Sequence, residues 1–259
     1  MRFNSLAILS QAAILSGGLI LGVTAHADIT LNAGAKLTYE TNVNGAPDKA
    51  NQQSDTYRTL NASAVYYTPL DLAKTSYFIG QVGALSTAYN RFDNLDNSMV
   101  MASAGLYKQL SPAWSGQFTG RGFIRDTQQD ARDSTGFGTT LEIKRQLGRT
   151  LWVKAIADYE DNKAGLSAFS YTGKAYGVNF GYLPLQDTFV SWGYSHAQRD
   201  FNTDPRFETT TQTAFTEVTQ RLAKNWYLNG GYAYRHNDSN IAGTAYANHI
   251  VSLGLNFSY

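Results

Sequence analysis

Near the C-terminus Val251, Leu253, Leu255, Phe257 and Tyr259 fall on one parity, while Asn248, Ser252, Gly254, Asn256 and Ser258 fall on the other. A period of two with one apolar and one polar face predicts an extended strand standing between an apolar phase and water. The pattern recurs upstream, with Trp226, Leu228, Tyr232 and Tyr234 against Asn229, Gly231, Arg235 and Asn237. Leu151, Val153, Ala155, Ala157 and Tyr159 oppose Lys154, Asp158 and Glu160; Ile29, Leu31, Leu37 and Tyr39 oppose Asn32, Lys36 and Glu40; Phe137, Leu141 and Ile143 oppose Thr140, Glu142 and Lys144. In 75–89 and 98–110 both parities are mixed, and the pattern assigns no face there.

Twelve such segments are predicted, at 28–41, 56–68, 75–89, 98–110, 114–125, 134–147, 151–161, 172–183, 188–199, 209–222, 226–237 and 245–259. Leu70, Leu110, Leu147, Leu185, Leu222 and Tyr259 recur roughly 37 to 40 residues apart, a period that marks repeated hairpins. The connections at those leucines are short and carry Pro, Gly, Asp or Asn, residues that suit tight turns. Between them lie longer polar stretches at 42–55, 90–97, 126–133, 162–170, 200–208 and 238–244. Tight turns at one end, long loops at the other and an even strand count predict an all-β fold: a closed, up-and-down antiparallel transmembrane β-barrel. A soluble sandwich has shorter strands, typically about five or six residues, and no reason to gather its short connections at one end.

The N-terminus refines this picture. Arg2 precedes an apolar stretch from Leu6 to Val23 and the small-x-small sequence Ala25-His26-Ala27, which predicts a cleaved signal peptide at 1–27 and a barrel at 28–259. No other stretch is apolar enough for a spanning helix. The exported chain has no cysteine, so it is held by hydrogen bonds and packing rather than disulfides. Lys and Arg number 21 against 20 Asp and Glu, and no basic patch for nucleic acid is expected. Aromatic residues gather near predicted strand ends, with Trp114, Tyr182, Trp226, Tyr227 and Tyr259 at one end and Tyr57, Tyr89, Tyr171, Tyr194, Tyr234 and Tyr246 at the other. They are expected to form two interfacial girdles, with strand propensity accounting for part of the enrichment.

Two short motifs carry a resemblance. The closing alternation ending on Tyr259 resembles the C-terminal signal that barrel-insertion machinery recognises in the outer membrane. Tyr39-Glu40-Thr41-Asn42-Val43 resembles the Tyr-x-Ser/Thr-Asn-Val opening of a broad set of Gram-negative outer-membrane barrels, including the barrel domain of surface lipoprotein assembly modifiers. The resemblance implies a porin-like fold in the bacterial outer membrane, with that membrane's lipids, lipopolysaccharide and the insertion machinery as partners. With the first strand read directly after the leader, no helical repeat domain is expected before the barrel, so the modifiers' export activity is not carried over.

The inward parity is expected to place Lys36, Arg121, Arg125, Lys144, Lys154, Arg199, Arg221 and Arg235 in the lumen with Glu40, Glu142, Asp158, Glu160 and Glu217. Two readings stay open: a water-filled pore guiding small anionic solutes, or bases and acids that pair across the lumen and plug it. The second makes the chain a closed surface-interaction or envelope-structural barrel. A lipid-modifying enzyme needs a base beside a nucleophile. His196, His236 and His249 are expected to face outward while Ser195 and Asn248 face the lumen, so no catalytic residue is assigned. Asp126, Asp130 and Asp133, and Asp93 with Asp96, lie in two outer loops without the spacing of a calcium-binding hand; neither metal nor cofactor is expected. Oligomeric state has no sequence signal.

Overall fold

The computed structural model describes residues 28–202, 208–241 and 243–259; the leader read at 1–27 lies outside them. Twelve strands are formed: β1 (Asp28–Glu40), β2 (Asp55–Pro69), β3 (Ser76–Tyr89), β4 (Asn97–Gln109), β5 (Trp114–Thr127) and β6 (Ser134–Gln146). They continue as β7 (Leu151–Ala164), β8 (Tyr171–Leu185), β9 (Thr188–Phe201), β10 (Glu208–Ala223), β11 (Trp226–Ser239) and β12 (Tyr246–Ser258). Each strand pairs antiparallel with its chain neighbours, and β12 returns to β1 to close the ring. Paired N–H···O bonds between Leu31 and Tyr259, 2.9 and 2.8 Å, fasten the seam at its inner end. Closure leaves no unpaired edge, the condition for a sheet to cross lipid.

Directly paired residues share a face, so the register carries each face assignment around the ring. Leu37 pairs with Arg58, Val100 with Ile124, Leu141 with Ala157, and Tyr39 with Val251. Ile29, Leu31, Leu60, Val82, Val100, Ile124, Phe137, Leu253 and others on this parity are exposed. An exposed apolar belt running around the whole barrel far exceeds the few hundred Å² that a soluble monomer tolerates. Strands of 13 to 16 residues at about 3.3 Å per residue, tilted by about 40°, stand taller than the apolar band of about 25 Å. The chain is a transmembrane β-barrel.

Both faces of β3 and β4 are assigned by the structure. Leu85, Met99 and Met101 turn inward, beside Phe123 of β5. The lumen face of this sector mixes these apolar residues with Gln81, Thr87 and Ser103 while the opposite face meets lipid, which is why alternation alone left the parity mixed. The aromatic girdles hold only in part. Trp114, Tyr182 and Trp226 are exposed at the inner end, and Tyr194 and Tyr234 are exposed toward the outer end. Tyr57, Tyr89 and Tyr171, read as outer-girdle residues, are buried. They occupy inward positions, where an aromatic ring fills the lumen rather than meeting headgroups.

Candidate functional site

The lumen is lined by the inward parity of all twelve strands, and its composition changes around the ring. On β2, β3 and β4 the inward residues include Val65, Tyr67, Tyr77, Ile79, Leu85, Met99, Met101 and Tyr107. The one acid of this wall, Asp55, stands at its outer end and accepts N–H bonds from Arg91 and Phe92, each 3.0 Å. On β8 and β9 the inward residues are mostly small, with Gly173, Ala175, Gly177, Gly181, Ser191, Gly193, Ser195 and Ala197. Charge is concentrated on the two walls between these, β5–β7 and β10–β1. Twelve strands in one ring put the aromatic wall opposite the small-residue wall, and the two charged walls opposite each other.

On β5–β7, Arg121 forks onto Asp158, with Nη1–Oδ2 2.7 Å and Nη2–Oδ1 3.0 Å, and its Nη2 also donates to Glu160 at 2.9 Å. Thr140 Oγ1 donates to Asp158 at 2.6 Å, and Tyr171 Oη donates to Glu160 at 2.7 Å. One strand, β6, separates Arg121 from its acids, and the register shows how the gap is bridged. Arg121 pairs with Gly138 and Gly138 with Glu160, so the guanidinium lies across a strand that has no side chain there. A Cβ at Gly138 would stand 2.6 Å from Arg121 Cζ. Lys154 Nζ meets Glu142 Oε1 at 3.0 Å.

On the opposite charged wall Arg235 reaches over β12 to Glu40 at 3.6 Å, and Tyr57 Oη donates to Glu40 at 3.3 Å. Glu217 accepts from Asn229 at 3.4 Å and Thr219 at 3.5 Å. The ion pairs therefore run along the wall between near strands rather than across the lumen. Among the described residues no carboxylate lies within 4.0 Å of Lys36, Arg125 or Lys144. Arg125 is held over the Phe123 ring at 5.3 Å with its Nη2 3.8 Å from Met99 Sδ, and Lys144 stands 4.7 Å over Trp152. Arg199 lies over Tyr171 at 4.9 Å.

Arg221 departs from the sequence expectation. Its guanidinium donates to the carbonyls of Ala223 and Lys224 and lies 3.7 Å from Asp187, on the exposed periplasmic rim. Arg221 keeps the inward parity, in register with Tyr227, but it stands at the last regularly paired position of β10 before a register shift, so its side chain ends on the rim.

Accessibility also changes along the barrel axis. Apart from glycines, the buried inward residues lie in the outer part of their strands, among them Thr38, Glu40, Tyr57, Thr59, Tyr89, Met99, Asn162, Ala197, Arg235 and Asn248. The loop at 41–54 contributes to this narrowing. Asn42 donates to the carbonyls of Ala46 and Ala247, accepts from Ala46 N–H, and its own N–H donates to Asn248 Oδ1, all between 2.9 and 3.1 Å. Thr41 Oγ1 accepts from His249 N–H at 3.0 Å. Val43 packs with Tyr57, Tyr89 and Leu95, and Gly45, at φ +60°, lies against the Tyr246 ring. The Tyr39–Val43 motif is thus a latch: it joins β1 to β12 and folds the first outer loop back onto the barrel. Motif spacing showed where this segment stood, but its role needed the β12 partners.

The other sequence candidates are engaged in simpler ways. The loop acids cap their own hairpins: Asp96 Oδ1 accepts from Tyr89 N–H at 2.7 Å and Asp133 Oδ1 from Thr127 N–H at 2.8 Å. Among the described residues no three His, Asp or Glu side chains converge as metal ligands would. His196 and His236 share the outward face with Gln212, to which both are paired. His249 Nδ1 meets Tyr232 Oη at 2.9 Å. Ser195 lies on the opposite face from His196, so the strand geometry brings no serine nucleophile to an imidazole there.

No family model matches the sequence, and no curated protein matches it. Solved structures do. The barrel is similar to the COG4313 outer membrane channel from Pseudomonas putida F1, with a TM-score of 0.62 at 10% identity over 93% of this chain and 98% of that one. It is also similar to a TodX monoaromatic hydrocarbon channel mutant, TM-score 0.50 at 10% identity over 95% and 93% of the two chains. The translocator domain of autotransporter NalP from Neisseria meningitidis gives TM-score 0.50 at 10% identity over 96% and 93%. The fold is that of the bacterial outer-membrane barrels, in agreement with the apolar belt.

Proposed function

We propose that this barrel is a passive outer-membrane channel for small solutes, with a preference for anions. The observation that carries the reading is the imbalance of engaged charge in the lumen. Glu40, Glu142, Asp158 and Glu160 each hold a base, and Glu217 is hydrogen-bonded, whereas Lys36, Arg125 and Lys144 have no carboxylate within 4.0 Å among the described residues. In a narrow low-dielectric passage cations without a contact carboxylate bias the field that a solute meets. The likeness to the COG4313 outer membrane channel supports the reading as a channel. The C-terminal strand, with Val251, Leu253 and Leu255 outward, is the segment we assign to recognition by insertion machinery.

A planar bilayer holding the refolded barrel under a KCl gradient tests this. Discrete steps with a chloride-preferring reversal potential are expected, and the triple substitution Lys36→Gln, Arg125→Gln, Lys144→Gln should lower that preference several-fold. Cation preference in the wild type overturns the anionic reading. Absence of steps favours the second reading, a closed surface or structural barrel, to which the inward-folded loop at 41–54 lends weight.

A further inference from the structure

We infer that the lumen carries a subsite for small organic anions with an apolar body, aromatic carboxylates being the best fit. The inference rests on the lumen being a solute path, and adds what kind of solute the path selects. It comes from the arrangement of the walls. An uncharged track runs down β2–β4 from Leu85 and Met99 near the outer constriction, past Met101, to Ile79, Tyr77 and Tyr107 near the inner mouth. Each seam of this track carries a cation with no carboxylate within 4.0 Å among the described residues: Lys36 on β1 and Arg125 on β5.

Arg125 stands in register with Met99, which pairs in turn with Leu85. Its guanidinium lies 3.8 Å from Met99 Sδ and 5.3 Å from the Phe123 ring centroid. On the same wall Glu160 is engaged by Arg121 and Tyr171. An arginine stacked on an aromatic ring keeps its planar fork of donors available and fits a carboxylate in bidentate fashion. A solute bound there directs the rest of its structure down the track over Met101. A purely polar anion leaves that wall unwetted by any favourable partner, whereas a ring or short aliphatic body buries apolar area against it. On the opposite wall the inward residues Gly173 and Gly177 carry no side-chain bulk, while the space at Gly193 is taken by Asn179 and Phe215.

Benzoate and acetate are the probes, since they share the carboxylate and differ in the apolar body. The folded full-length mature barrel is titrated with each in detergent by calorimetry, and each is applied to single channels in KCl. Benzoate is expected to bind, and to reduce chloride current, at concentrations at least tenfold lower than acetate. Arg125→Gln should weaken benzoate at least tenfold, with Arg125→Lys recovering part of it. Met101→Ser should narrow the benzoate-to-acetate ratio while leaving acetate unchanged. Arg145→Gln, which removes an outward cation lying over Trp114, should change neither. The unheated gel mobility of each variant reports that it has folded. Equal affinity for benzoate and acetate, or an undiminished benzoate response in a folded Arg125→Gln barrel, overturns the subsite while the chloride steps leave the channel standing. Loss of the chloride steps themselves in the wild type overturns the channel and the inference that rests on it.

Discussion

The outer and periplasmic halves of the lumen are built from the same twelve strands, yet they are closed to different degrees. In the outer half many inward side chains are buried, the loop at 41–54 is latched against β12, and Glu40 and Arg235 pair beneath it. In the periplasmic half Ser63, Gln81, Ser103, Gln117 and Thr119 remain partly accessible, and the turns below are short. Strand number sets how wide a barrel is; the difference between the halves shows that side-chain size and loop placement then decide how much of that width stays open.

Three measurements break or sharpen this contrast. The largest effect is expected for Asn42→Ala, which strips the latch of its side-chain bonds and leaves buried backbone groups unpaired, at a cost of about 2–4 kcal/mol. A lower unfolding midpoint by heat-dependent gel mobility, new protease cleavage within 43–53 and larger conductance are expected together. Unchanged conductance with a released loop would show that the constriction belongs to the wall alone.

A smaller effect is expected for Gly138→Val. The new side chain displaces Arg121 from Asp158 and Glu160, costing about 1–3 kcal/mol. Gly120→Val is the matched control, since nothing lies within 4 Å of the position of its added Cβ, and it should stay within about 0.5 kcal/mol of wild type. Equal loss in the two variants would argue against the bridging role of Gly138.

The smallest effect concerns the periplasmic rim. The Ser76 hydroxyl first, then Thr75 through its N–H and hydroxyl, hold the Asp71 carboxyl well below the usual carboxylate range. A lowered folded pKa means that this turn contributes fully above about pH 4, the ordinary range, and weakens only as pH falls through the folded value. Carboxyl carbon NMR should find Asp71 still ionised at about pH 3, and a midpoint near 4 would contradict the hydrogen-bond account. Asp71→Asn should remove that pH dependence.

Much of the barrel was legible in the chain because lipid and water impose opposite demands on adjacent residues. Strand 245–259 advertises both faces, and its structural counterpart β12 turns Val251, Leu253 and Leu255 outward as expected. β3 and β4 were opaque for the same reason inverted: Leu85, Met99 and Met101 sit on the lumen face, so both parities carry apolar residues. Arg221 misled because parity gives the face but not the depth: at the end of β10 its guanidinium reaches the turn carbonyls of Ala223 and Lys224. Tyr57, Tyr89 and Tyr171 misled because a ring near a strand end serves headgroups or lumen equally well.

By itself the sequence determined the number of crossings, the end at which the tight turns gather and the parity of most strands, since these follow from local alternation and turn chemistry. Only the closed sheet decided which charges meet. Arg121 finds Asp158 and Glu160 across the bare backbone of Gly138, and Arg235 finds Glu40 across the β1–β12 seam. Register between strands and closure of the ring create those neighbours, and no local pattern along the chain encodes them. The same closure leaves Lys36 and Arg125, on either side of an uncharged wall, with no carboxylate within 4.0 Å among the described residues.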